Sequence, residues 1–186
     1  MQTSPLKCDH LSKNRLLFLK EHYTLLLPGD PPPKKGKSLF LIYEDPFFSF
    51  YDQIFPFLKA EGFRVLLGVC PRYILEDTSL SKEVRLNVPK GLSMQDGFFE
   101  EKAPFCTWKE LSEMVLSGHV EVISGSFSKM NLSFPFVNHQ REVVESKKRL
   151  EEKLPQAITS FLYPFGKKDL KSHFLVSTHY AFAFSL

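Results

Sequence analysis

The chain is poor in the features that most quickly classify a protein. It has three cysteines in 186 residues: Cys8, Cys70 and Cys106. An odd set with no C-x-x-C spacing argues against a disulfide framework and against a zinc knuckle. Cys70 ends an apolar run and reads as a buried core thiol. No apolar run approaches the roughly 18 residues that span a bilayer, so no membrane span is expected. The N-terminal MQTSPLKCDHLSKNRLLFLK has no apolar stretch of signal-peptide length, and the expected compartment is the cytoplasm. An excess of one charge is also missing. The net charge is +3, with basic and acidic residues interspersed, which excludes an electrostatic footprint for nucleic acid. Internal repeats and low-complexity tracts are absent.

What is present is a large apolar fraction, 43% of the chain, with 19 phenylalanines. That is enough for one sizeable core, and some of the Phe side chains should line a surface or groove. Residues 1–37 read as an N-terminal arm, amphipathic over Arg15–Leu27, and a linker. The linker is LPGDPPPKKGK, where prolines fix φ and remove donors. Residues 38–186 read as the folded domain. SLFLIY is a short buried strand. FSFYDQIFPFLKAEGF places Phe50, Ile54, Phe57 and Leu58 at helical spacing and stops at Gly62. FRVLLGVC is a second buried strand, so the order is βαβ and the strand pair is parallel.

Residues 71–106 form a long polar segment broken by Pro and Gly. TWKELSEMVLSG is a helix with a capping box, Thr107 and Glu110, and a stop at Gly118. HVEVI is a third strand, Asn138–Leu154 a helix, and ITSFLY a fourth strand. HFLVSTHYAFAFSL is expected to supply one or two more strands. The alternation predicts an α/β fold with a parallel sheet or barrel.

In such folds reactive residues collect at the carboxyl ends of strands. The first such place is YEDPF, where Glu44 and Asp45 are adjacent carboxylates. Such a pair can divide metal binding and proton abstraction, or can simply be solvated acids in a turn. The second is SGSFSKMNL. Gly125 and Lys129 stand there at i and i+4, a spacing at which two histidines would chelate a metal. Neither is a histidine, and a lysine ammonium repels a metal. The third is YPFG, Tyr163–Gly166, whose aromatics suit stacking on a sugar face or packing in a turn. His119 precedes its strand and reads as a surface residue.

These three places, in this order, resemble the polysaccharide deacetylase family, the NodB-homology domain of carbohydrate esterase family 4. The resemblance runs from about Leu17 to the C-terminus. It is carried by IYEDP followed by FSFYDQIFPFLKAEGF, by GHVEVISGSFSKMNL, and by FLYPFG. It implies a distorted, incomplete (β/α) barrel, TIM-like, and a hydrolase of carbohydrate metabolism that removes N-acetyl groups from amino-sugar polymers. In the family a zinc or other divalent metal is held by one Asp and two His.

Carried over residue by residue, Asp45 falls on the metal-binding Asp, and Glu44 on the catalytic base, one methylene longer. Gly125 and Lys129 replace the two metal-binding histidines. Pro46 replaces a Gly, and Leu162 stands where many members carry an Arg. His173 and His179 do not match the family's acid His. The resemblance therefore implies an inactive or impaired deacetylase with no metal cofactor, in which the Lys129 ammonium takes the metal's place beside Asp45. Tyr163, Pro164, Phe165 and Gly166 fall in the substrate groove. Two alternatives remain open. One is an active deacetylase with rewired ligands, His119 or His139 joining Asp45. The other is a non-catalytic protein that binds sugar or another chain. The expected partner is an N-acetylated amino-sugar polymer, and open sheet edges leave room for an oligomer.

Overall fold

A computed structural model describes residues 3–186. The elements are β1 (Thr3–Lys7), α1 (Lys13–His22), β2 (Thr24–Leu25), β3 (Ser38–Tyr43), α2 (Phe55–Ala60) and β4 (Val65–Val69), then α3 (Lys82–Leu86), α4 (Phe98–Lys102), α5 (Trp108–Leu116), β5 (Val120–Ser124), α6 (Ser146–Lys153), β6 (Ser160–Leu162), α7 (Leu170–His179) and β7 (Phe182–Phe184). Single π-helical segments, Phe50–Ile54 and Gln140–Glu145, lead into α2 and α6.

Every strand pairing is parallel, in the order β1-β3-β4-β5-β6-β7, with β2 also on β3. The sheet curls into a nearly closed barrel whose one unsealed seam lies between β1 and β7. The Lys37 and Leu39 carbonyls accept from β2 and its neighbour Leu26, whereas the Ile42 carbonyl accepts from Cys8 beyond β1. Successive carbonyls point to opposite edges, so β1 covers one edge of β3 and β2, then β4, cover the other.

Strand β4 is a continuous apolar run because both of its faces are buried, whereas β5 is interrupted by Glu121 and β6 starts at Ser160. Inside the barrel, Ile42, Leu66, Ile123, Leu162 and Phe184 supply one residue each from β3 to β7 and pack as a layer. Phe40 meets Phe184 edge-on across it at 5.3 Å. The outward residues Leu41, Val65, Leu67, Val122 and Phe161 face the helices, which contribute Leu16, Leu58, Leu111, Met114, Leu150 and Val176. Gly68 is required where β4 passes the first strand-end turn. A Cβ there would stand 2.7 Å from the Glu44 carbonyl oxygen.

Two expectations differ from what is observed. β1 and β2, within the stretch expected as an N-terminal arm, are strands of the same sheet, while residues 27–37 hold no helix or strand. Pro5 is tolerated because β1 lies at the sheet's edge. HFLVSTHYAFAFSL supplies one strand, β7, as expected, but its first half, through His179, belongs to helix α7. Asp169 caps α7 by accepting from the Ser172 N–H at 2.7 Å, and Ser172 reaches back to the Asp169 N–H. A helix there also gives the crossover that two parallel strands require. The capping box of α5 stands as read, with Thr107 and Glu110 bonded reciprocally. Among the described residues no helix is long and apolar enough to cross a membrane.

Candidate functional site

The turn after β3 is clipped in place by its neighbour. The Phe48 N–H donates to the Pro104 carbonyl at 2.7 Å and the Cys106 N–H to the Pro46 carbonyl at 2.8 Å. That fixes Asp45 with its carboxylate largely buried. The loop after β5 is held still more fully. The Gly125 N–H donates to the Val69 carbonyl at 2.9 Å, and the Arg72 N–H to the Phe127 carbonyl at 3.1 Å. The Cys70 thiol donates to the Gly125 carbonyl at 3.0 Å. Glu142, itself buried, accepts from the Ser128 N–H at 2.9 Å and the Ser128 hydroxyl at 2.5 Å. Within this frame Ser126 (φ 72°) and Lys129 (φ 57°) are left-handed, and the Lys129 N–H donates to the Ser126 hydroxyl at 2.9 Å. Left-handed non-glycine residues persist where their surroundings over-determine them.

The result is a salt bridge across the top of the barrel. Lys129 Nζ lies 2.6 Å from Asp45 Oδ1 and 2.5 Å from Oδ2. This is the pairing expected from the sequence. Burial pushes the Asp45 carboxyl above its ordinary value, the Lys129 ammonium opposes this, and Asp9 and Glu44 add to the push. At Lys129 burial pulls down, but the Asp45 carboxylate outweighs it and the ammonium is raised. The Glu44 side chain is engaged as well, in an ion pair with Lys7 on β1.

The three strand-end places converge. Glu44, Gly125, Lys129, Leu162, Tyr163, Pro164 and Phe165 line one cavity of about 10 Å³, room for about a single water. A Cβ on Gly125 would stand 3.1 Å from Cys70 Sγ, so this side of the site is filled. Above it a groove of about 270 Å³ opens over Glu44, Asp45 and Lys129, with Asp9, Lys90 and Phe165 among its walls. Tyr163 is buried, its hydroxyl 3.0 Å from His173 Nδ1. Phe165 is the exposed member of YPFG and is itself left-handed at φ 57°. Gly166, left-handed at φ 63°, packs so closely on the C-terminal residue that a Cβ there would stand 2.7 Å from the Leu186 carbonyl oxygen.

Residues that sequence reading did not reach are Lys7, Asp9, His10 and Lys90. The Asp9 carboxylate accepts from the Glu44 N–H at 3.2 Å. The cluster KCDH was visible, but only the position of β1 beside β3 brings it to the site. His119 is at the opposite end of the barrel, its Nδ1 2.8 Å from the Phe63 carbonyl. His139 is buried with Nε2 2.9 Å from the Leu132 carbonyl. Among the described residues no three of His, Cys, Asp and Glu come together to hold a metal ion. The donor set at Asp45 therefore does not fit a catalytic zinc ion, which takes three protein ligands.

Comparison with solved structures places the fold. IcaB from Ammonifex degensii superposes with a TM-score of 0.73 at 17% identity, covering 99% of this chain and 82% of that one. The polysaccharide deacetylase BC0361 from Bacillus cereus gives 0.70 at 19%, covering 98% and 56%. The chain has the polysaccharide deacetylase fold. A de-N-acetylase from Aggregatibacter actinomycetemcomitans shares this fold at a TM-score of 0.67 and 14% identity, over 98% and 85% of the two chains. The chain spans just over half the length of BC0361. No protein-family profile and no curated protein matches the sequence.

Proposed function

We propose that this chain is a deacetylase-fold protein without hydrolytic activity, which retains a groove for an N-acetylated amino-sugar polymer. The observation that carries the reading is the Lys129 ammonium on both oxygens of Asp45. In this reading the lysine supplies the positive charge that the fold otherwise takes from a metal. An ammonium is no Lewis acid: it coordinates no water, and this one is already bonded to both Asp45 oxygens, so it does not generate a hydroxide nucleophile as a bound metal does. The base position is satisfied too, because Glu44 is held by Lys7. What remains is recognition. The solved relatives are named as polysaccharide deacetylases or de-N-acetylases, and Phe165 offers an aromatic face at the groove's rim.

The test is elemental analysis of the purified protein, a deacetylation assay on N-acetylglucosamine oligomers, and titration of the same oligomers by calorimetry. Expected are no stoichiometric transition metal, no turnover, and binding that Phe165→Ala weakens about tenfold, the scale of a lost aromatic contact. Turnover by the unmodified chain, or about one metal per chain lost on Asp45→Ala, would overturn the reading. Absence of oligomer binding would remove the polymer from it.

A further inference from the structure

The loops after β5 and β6 expose large apolar side chains that the groove does not use. Phe136 is 99% exposed and Phe134 55%. On α7, Leu170 is 89% and Phe174 73% exposed, while Ser172 and Val176 face inward. Leu170 and Phe174 stand at i and i+4, so they share the outward face of the helix. A surface helix ordinarily turns that face polar. The two loops meet: His139 Nε2 lies 2.9 Å from the Leu132 carbonyl in the first and 3.7 Å from Asp169 in the second.

The charge around these residues is one-sided. Between positions 125–141 and 163–174 the acidic residue is Asp169, which caps α7. Lys129 is spent on Asp45, but Arg141, Lys167, Lys168 and Lys171 are all exposed. The basic run Lys34, Lys35 and Lys37 has no exposed large apolar side chain beside it, so it is the combination with exposed Phe and Leu that marks this face. Exposed Phe and Leu among lysines, with almost no acid, is the composition of a surface that sits in an anionic lipid interface. A sugar polymer would not call for fully exposed aliphatic side chains outside the groove, and a neutral partner would not call for the lysines.

We infer that the face formed by the β5 and β6 loops and α7 docks on an anionic lipid bilayer. Leu170, Phe174 and Phe136 enter the headgroup boundary, and Lys167, Lys168 and Lys171 meet the lipid phosphates. Phe165 belongs both to this face and to the groove wall, so the groove would open close to the membrane surface. This docking requires no hydrolysis and stands independently of the proposed recognition of sugar.

Flotation of the whole chain with vesicles tests it. The vesicles contain phosphatidylcholine alone, or phosphatidylcholine with about one-third phosphatidylglycerol. Binding is expected to the anionic vesicles only and to fall with added salt. Leu170→Ser with Phe174→Ser, and separately Lys167→Ala with Lys168→Ala and Lys171→Ala, should each weaken it by about tenfold or more. These side chains are exposed, so circular dichroism should be unchanged. Leu116→Ser, also exposed but at the end of the helix that precedes β5, should leave binding intact. No binding at low salt, equal binding to neutral vesicles, or indifference to the face variants would overturn the inference. So would a dimer in solution abolished by the Leu170 and Phe174 substitutions, which would make a second copy the occupant.

Discussion

Lys129 combines two costs at one position. Its backbone is left-handed without the freedom of glycine, and its ammonium is withdrawn from water. Both are offset by the Asp45 carboxylate and by the loop's hydrogen bonds. Removing one partner leaves the other charge buried and alone. Lys129→Met is therefore expected to destabilise the fold by about 3–5 kcal/mol, and Lys129→Met with Asp45→Asn by clearly less than the sum of the two single changes. Urea unfolding of the four proteins checks this, and additive losses would show that the pair is not coupled. The proposed exchange of a metal for Lys129 can be run backwards. Lys129→His with Gly125→His should recruit zinc only when Cys70 is also shortened to Ala, because Cys70 Sγ crowds the position a Cβ would take at residue 125. Zinc titration of the double and triple variants separates the two cases. At this scale the sequence was informative about Asp45 and Lys129, which stand in recognisable motifs. Asp9 and Lys7 were not legible, since their role exists only once β1 has been laid beside β3.

The elements show the same division. β3 and β4 were readable because their apolar runs are nearly unbroken, β5 and β6 because short apolar stretches follow clear helices, and α5 because Thr107 and Glu110 announce its start. α7 does not separate from β7 in the sequence, because its exposed face carries Leu170 and Phe174 and no helical stripe stands out. The segment 71–106 looked like a long loop, yet it is anchored by one buried guanidinium. Arg85 Nη1 and Nη2 pair with the Glu110 carboxylate at 2.7 and 2.9 Å, Nε and Nη2 bond the Ala103 and Phe105 carbonyls, and the group stacks 3.6 Å above the Phe48 ring. Glu110 also completes the cap of α5. Arg85→Ala should cost about 3–5 kcal/mol and open the segment to protease. Arg85→Lys should recover only part, having neither the bidentate fork nor the planar face. Limited proteolysis beside thermal unfolding reads both effects.

For the whole molecule, the two ends of the barrel differ. The carboxyl end is clamped by ion pairs, whereas the opposite end carries an acid without a base of its own. Glu121 lies two residues before Ile123 and so faces the barrel interior with it. Burial first, then Asp30, pushes its carboxyl up to about 7, with Arg64, itself bonded to Asp30, opposing. The folded protein therefore holds this proton more tightly than the unfolded chain does. The resulting stability is fully present below the ordinary carboxylate range and is lost as pH rises through about 7. Glu121→Gln should raise the melting temperature at pH 8 relative to the parent, and the difference should shrink as pH falls and close only below about pH 4. A constant difference across that range would contradict the assignment.

The Lys129–Asp45 contact joins residues 84 positions apart in the chain. It cannot form until β3, β4 and β5 have docked in register and the loop after β5 has taken its strained shape. An interaction that must wait for the sheet contributes little to the folding barrier and much to the barrier for coming apart. The ion pair is in that sense a latch closed last, and its loss should show chiefly as faster unfolding rather than slower folding.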